Sequence, residues 1–392
     1  MKFFKRLLVA PAALGLLAPL AANATEANMN EVSTYSKVDV EINRNSFKPL
    51  TTKNPLLLSG GEGMYDNSSD YSPDTFSATT QATFSANFVV NSVDGVAAED
   101  TLGAVYDYAI NLTTTFTGDD SLDVSLAGGD GGSGRPESDL TDTGDIMMID
   151  GLSYTFPLGE KTTVFVGHNV DGSTLYNTAC LYGGPTNAMD DCGVAFSNLA
   201  AGMGVAGGLS YDVGNGLLFS LAYEGNDGAN GIMTKEGSDA IGTQVAYIKD
   251  TYGVSLSYLK VDANWFNLGN DSVIFTGLNA YYDPDKENFP SISVGYEWTK
   301  DESSTATAAA DEAKQWFLGV QWDDWGPGIF GAAIGPKAQT TEGADEEMQY
   351  EAFYDYPVND SITVTPVIYQ KENSAANTDD ETGLMVKTSF SF

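Results

Sequence analysis

The sequence predicts an all-β protein, a transmembrane antiparallel β-barrel of about 16 strands with short periplasmic turns and long external loops. Three observations predict it. Apolar side chains alternate with small polar ones in segments close to the 9–11 residues that a tilted strand needs to cross a bilayer. Short and long connections follow each other in strict alternation, which gives a closed sheet one end of turns and one end of loops. The last segment alternates as well: Leu384, Val386, Thr388, Phe390 and Phe392 share one face, and Met385, Lys387, Ser389 and Ser391 the other. A closing strand of that kind pairs with the first strand and leaves no sheet edge unpaired in lipid.

The elements follow in chain order. Residues 1–24 read as a secretory signal, with Lys2, Lys5 and Arg6 ahead of an apolar run and Ala22-Asn23-Ala24 as the cleavage site. That run is short for a spanning helix, and no later stretch approaches the required length. Residues 25–72, rich in Asn, Ser and Thr, read as a periplasmic leader or linker, and 73–392 as the barrel domain. In the first strand Phe76, Ala78, Thr80, Ala82, Phe84, Ala86, Phe88 and Val90 alternate with Ser77, Thr79, Gln81, Thr83, Ser85 and Asn87. In the second, Tyr106, Tyr108, Ile110, Leu112 and Phe116 alternate with Asp107, Asn111, Thr113 and Thr115. Further strands centre on 122–126, 148–156, 164–166, 205–213, 217–223, 241–247 and 252–258, then on 273–281, 292–298, 316–322, 329–333, 350–356, 362–368 and 384–392.

Short turns fall at 117–121, 157–161, 214–216, 249–251, 323–328 and 357–360, with a longer one at 283–290. Long polar connections fall at 91–101, 127–145, 169–203, 225–239, 260–272, 300–314, 335–347 and 371–382. Tyr154, Phe156, Tyr211, Phe219, Tyr252, Tyr281, Tyr354, Tyr356, Phe390 and Phe392 are expected as an aromatic girdle at the turn end. A soluble sandwich would also present one polar face, but it offers no reason for the two-ended asymmetry of connections.

Composition narrows the function classes. The 392-residue chain carries 18 Lys+Arg against 54 Asp+Glu, a formal charge of −36, which argues against nucleic acid as a partner. Two cysteines are too few for a disulfide scaffold. One histidine, His168, with Ser173 as its near neighbour, makes neither a catalytic constellation nor an iron site, and no cofactor is implied. Gly128–Gly134 lacks the Gly-Lys-Ser/Thr of a phosphate loop.

Several stretches together resemble the cyanobacterial outer-membrane porins within the OprB-like carbohydrate-selective porin family, often called iron uptake porins. They are RLLVAPAALGLLAPLAANA in the leader, LLLSGGEG at 56–63, FSATTQATFSANF at 76–88, ACLYGG with DDCG around the two cysteines, YEAFYDYPVNDSITVTPVIYQ at 350–370 and the terminal VKTSFSF. The segment between signal and barrel is too short for the surface-layer-homology domain that many of these porins carry, so cell-wall anchoring is not implied. The resemblance implies a 16-stranded barrel, usually trimeric, inserted in outer-membrane lipid by the barrel-assembly machinery. It also implies passive passage of small hydrophilic solutes: sugars under one family label, inorganic ions including iron under the other.

The segment 169–203 is the third external loop, the one that in many general porins folds into the lumen. It holds Cys180 and Cys192, for which export permits a disulfide worth roughly 3 kcal/mol by the chain-entropy estimate. Either this is a stapled constriction or a staple on a surface loop that never enters the pore.

Acidic residues crowd the mouth: Asp130, Glu137, Asp139, Asp142 and Asp145 in one loop, and Asp190, Asp191, 301–302, 345–347 and 379–381 in others. With Asp107, Glu297, Glu351 and Asp355 as lumen-facing candidates, they point to a cation-preferring channel, because a low-dielectric wall focuses fixed charge. The bland alternative is a solvated acidic surface. Lys161, Lys260, Lys314, Lys337 and Lys371 are left as members of a counter-ladder without an assigned place. The competing function is a structural or adhesive barrel with a blocked lumen. Arg at Leu112 or Val294 is expected to cost about 2–4 kcal/mol near the midplane, far more than Arg at Thr113 or Ser293.

Overall fold

A computed structural model describes residues 79–392 apart from 96–101, 132–139, 187–188, 190–191, 195, 199–203, 227–230, 235–236, 263–271, 285–288, 303–311, 337, 342 and 374–378. The signal and leader segments, Phe76, Lys337, Asp190 and Asp191 therefore lie outside the described residues.

The strands are β1 (Thr80–Asp94), β2 (Leu102–Thr114), β3 (Ser121–Gly129), β4 (Met148–Pro157), β5 (Thr162–His168) and β6 (Val205–Gly214). Then come β7 (Leu217–Gly225), β8 (Asp239–Ile248), β9 (Tyr252–Asp262), β10 (Ser272–Tyr282), β11 (Ser291–Asp301) and β12 (Glu312–Trp325). The set closes with β13 (Gly328–Pro336), the two-residue β14 (Thr340–Thr341), β15 (Met348–Asn359), β16 (Ile362–Lys371) and β17 (Glu381–Ser391). Each long strand pairs antiparallel with the next, β13 with β15, and β17 with β1, so sixteen strands close into a barrel and β14 is an extra edge on β12.

Closure rests on the last strand. Val90 lies opposite Val386 and Ala86 opposite Phe390. Phe84 and Phe392 exchange backbone hydrogen bonds of 2.8 and 3.0 Å, and their rings stack at 5.7 Å. Leu384, Val386 and Phe390 therefore face outward beside Val90, Phe88 and Phe84, and the backbone of the seam is paired from Phe84 to Asp94.

Alternation holds around the wall. On β9, Tyr252, Val254, Leu256 and Tyr258 are exposed while Gly253, Ser255 and Ser257 are buried; on β11, Ile292, Val294, Tyr296 and Trp298 are exposed while Ser291, Ser293 and Glu297 are buried. In a water-soluble sheet the apolar set would be the covered one, so the inversion marks an outer surface built for a nonpolar surround. At the turn end, aromatic groups meet in clusters: Phe116, Tyr154 and Phe156; Trp322, Trp325 and Phe330; Tyr354 and Tyr356.

Three expectations are corrected. Tyr281 is buried on the inner wall, its hydroxyl donating to the Lys249 carbonyl at 2.5 Å, and Tyr282 takes the outward place. The segments 323–328 and 357–360 are mostly strand: β12 and β15 carry register shifts between Trp322 and Trp325 and between Pro357 and Asn359, and each bulge lets polar or Pro residues continue the ladder. Ser293 is not a water-facing position, because the third external loop covers it.

Candidate functional site: the third loop on the inner wall

The third external loop, which leaves β5 and returns to β6, folds inside the barrel. Its outbound limb is extended and crosses the strands. The backbone N–H groups of Asn177, Ala179, Leu181 and Gly183 donate in turn to Gln244 of β8 (2.6 Å), Ser255 of β9 (2.9 Å), Ser293 of β11 (2.9 Å) and Gln321 of β12 (3.1 Å). The interval of two residues is that of extended backbone, in which every second N–H points the same way. Gly172 opens the series by donating to Glu224 of β7 at 3.1 Å.

The loop turns at Glu351 of β15. The Tyr182 and Thr186 hydroxyls both donate to that carboxylate at 2.5 Å. The return limb runs back over β11, β10 and β9. Ser197 N–H donates to Glu297 at 2.6 Å, the Asn279 side chain reaches the Cys192 carbonyl at 3.5 Å, and Ser257 donates to Asn198 at 3.0 Å. A disulfide joins Cys180 on the outbound limb to Cys192 on the return limb, with Cα atoms 6.1 Å apart.

Close seating requires missing side chains. A Cβ at Gly295 of β11 would overlap the Cys192 carbonyl oxygen, and one at Gly277 of β10 would overlap the Ser197 hydroxyl. Both glycines face inward on neighbouring strands, so they form a trough for the return limb. Beyond the trough, Met189 near the tip joins a continuous buried cluster with Phe317, Phe353, Val367 and Met385, and with Val89 and Val105 of β1 and β2. The loop thus spans the lumen and narrows it.

Glu297 and Glu351 are on the inner wall but covered, at 0% and 4% exposure. Glu297 clamps two loops, taking Ser197 N–H on one oxygen and the Gln339 amide, at 2.6 Å, on the other. Charge-assisted bonds from N–H and O–H groups suit these carboxylates to holding the loop rather than to meeting a passing ion. Asp107 accepts from Asn87 at 2.8 Å and from the backbone of Thr141 at 3.0 Å, and so fastens the second external loop to β2. Asp355 accepts from the Thr365 hydroxyl, and Lys387 lies opposite Thr365 on β17. Lys387 is thus a lumen cation, on the inner face that the alternation of the last strand predicts.

The wall away from the loop is wet. Gln81 and Thr83 of β1 and Asn111 and Thr113 of β2 face inward and are exposed. His168 is exposed on the outward side of β5, whereas Ser173 lies in the loop. Lys260 and Lys314 also face outward, and Lys161 lies in the β4–β5 turn. Among the described residues no group of three or more His, Cys, Asp or Glu side chains converges as a metal site.

At the turn end Asp120 organises the β2–β3 connection. It accepts the Tyr154 hydroxyl at 2.6 Å, backbone N–H groups of Phe116 and Thr117, and the hydroxyls of Thr115 and Thr117. These donors, the Tyr154 hydroxyl first, hold its carboxyl well below the usual carboxylate range.

Glu224, Gln244, Ser255 and Gln321 were not foreseen as loop anchors. Their polarity on an inward face was visible, but which inward groups a loop covers depends on where the loop lies.

Known proteins share this architecture. The chain superposes on OprB of Pseudomonas putida with a TM-score of 0.58, at 12% identity, covering 80% of this chain and 94% of that one. The chain has the porin fold. A mutant porin of Rh. blastica aligns with a TM-score of 0.50 at 16% identity, covering 80% of this chain and all (100%) of the other. In sequence, the chain is 23% identical to an uncharacterized protein of Nostoc sp. over 81% of its own length and 66% of that protein, so it spans just under two thirds of that relative. No protein-family profile matches.

Proposed function

We propose that this protein is an outer-membrane porin, a channel for passive diffusion of small hydrophilic solutes. One observation carries the reading: a closed barrel with an apolar exterior holds an inward-folded, disulfide-stapled loop and leaves inward polar side chains of β1 and β2, toward the turn end, in water. Barrels of about 16 strands are wide enough for an aqueous channel. The apolar outer face supports an outer-membrane location, and the long external loops set its orientation. Residues 1–24 are the proposed export signal and 25–72 the proposed periplasmic leader.

The resemblance to carbohydrate-selective and iron uptake porins carries the solute classes, sugars and inorganic ions including iron, together with a homotrimer and insertion by the barrel-assembly machinery. Cation preference is proposed from the charge of −36 and from lumen carboxylates outside the loop's footprint, Asp107 and Asp355 among them. Planar bilayers test the channel directly. Purified protein should give stepwise currents, and reversal potentials under a salt gradient should have the sign of cation selectivity. Silence would favour a structural barrel whose lumen the loop closes, which is the reading that the apolar cluster around Met189 would then support. Liposome swelling with sugars of graded size, beside ferric and ferrous iron uptake in a deletion strain, separates the solutes.

A further inference from the structure

Basic side chains are scarce in this chain, yet three lysines share one outward patch at the long-loop end of the barrel. Ile274 of β10 lies opposite Lys260 of β9 on one side and Lys300 of β11 on the other. Two strand spacings separate the lysines, about 10 Å between Cα atoms, a gap that two extended lysine side chains can close. Lys314 of β12 stands one row lower, opposite Trp298. All three are exposed, and among the described residues no other lysine lies on the outward face of a strand.

Beneath them the wall changes in ordered steps. The row of Lys314 contains Trp298, Thr276 and Tyr258, and the next row contains Leu278 and Tyr296. Ile274, Trp298, Lys300, Glu312 and Lys314 are among the residues that line one cavity here, and Lys260 stands outside its lining. Cations at the rim, aromatic rings under them and aliphatic groups below match an amphiphile in cross-section: an anionic headgroup, its interfacial backbone and its acyl chains.

Resting on the outer-membrane reading above, we propose that Lys260, Lys300 and Lys314 bind the anionic headgroup, phosphate or carboxylate, of a lipid in the outer leaflet. Charge complementarity selects an anionic group, and the outward aromatic and aliphatic rows beneath the lysines select a lipid as its carrier. Glu302 and Glu312 stand among the lysines, and Lys300 bridges Glu302 at 3.1 Å. That pair is exposed, and exposed pairs are weak enough for an incoming phosphate to displace.

Native mass spectrometry of the full chain in detergent tests the site, with bisphosphorylated lipid A, glucuronosyl diacylglycerol and neutral monogalactosyl diacylglycerol as probes. At least one acidic lipid should be retained in preference to the neutral one. K260A/K300A/K314A should weaken that retention at least about tenfold, and K260R/K300R/K314R should keep it. Millimolar inorganic phosphate should leave the lipid in place. Equal retention of the neutral lipid, undiminished binding by the alanine variant, full displacement by inorganic phosphate, or a change in subunit number in the alanine variant would each overturn the proposal. Bilayer conductance on the same preparations keeps the two readings apart: wild-type silence with selective lipid retention refutes the channel alone, and currents without selective retention refute the lipid site alone.

Discussion

Adding one methyl group to the trough tests the seating of the third loop. A Cβ built on Gly295 falls 1.7 Å from the carbonyl oxygen of Cys192, whereas ordinary contact begins near 3.4 Å. The obstacle is backbone, so no side chain can rotate away. In Gly295→Ala the return limb must retreat toward the barrel axis by more than 1 Å. Such overpacking costs about 1–3 kcal/mol. The same movement lengthens the Ser197–Glu297 bond, now 2.6 Å, and through the disulfide it drags the outbound limb. The expected outcome is a lower single-channel conductance and a smaller sugar cut-off in liposome swelling, with the barrel still folded. Gly207→Ala is the control, since its Cβ would meet the Phe165 carbonyl at 3.4 Å. A folded Gly295→Ala protein with wild-type conductance and cut-off would refute the idea that this limb sets the constriction.

Four further outcomes are expected. Glu297→Ala leaves the buried Ser197 N–H and the Gln339 amide without their acceptor, at about 1–3 kcal/mol each, and limited proteolysis should then cut within 169–203. Cys180→Ala/Cys192→Ala removes a link across 12 residues, worth roughly 3 kcal/mol by the chain-entropy estimate; noisier currents should follow, and identical noise would place the loop's rigidity in its hydrogen bonds alone. Leu112→Arg should destabilise the barrel in lipid by about 2–4 kcal/mol and Thr113→Arg by far less, in reversible unfolding from vesicles, while Ser293→Arg now belongs with the damaging changes because the loop covers it. Because the Asp120 carboxyl is depressed in the folded state, its contribution to stability is fully present above the ordinary carboxylate range and is lost as pH falls below it. Protease access to the 115–120 turn should rise on acidification, and Asp120→Asn should have the turn open already at neutral pH.

Much of the barrel was legible in the chain because a strand's side-chain period is two, and a bilayer outside with water inside reads that period directly. Phe84, Phe88 and Val90, Leu112, Val294, and Leu384 with Val386 could be given their faces before any pairing was known. The reading slipped in two ways. Tyr281 and Tyr282 are both aromatic, so residue type alone did not choose between their faces, and the bulges in β12 and β15 made strand resemble turn.

What the sequence could not determine is where the third loop goes. Asn177 and Gln244, or Ser197 and Glu297, are far apart along the chain, and their pairing exists only once the barrel has closed and set five strands side by side. Glu297 and Glu351 read as lumen carboxylates from alternation alone. Only the folded chain, by laying a stapled loop across them, decided that they grip backbone and hydroxyl donors under cover instead of standing in open water. Faces are a local property of extended backbone; coverage is a property of elements that meet through long-range closure.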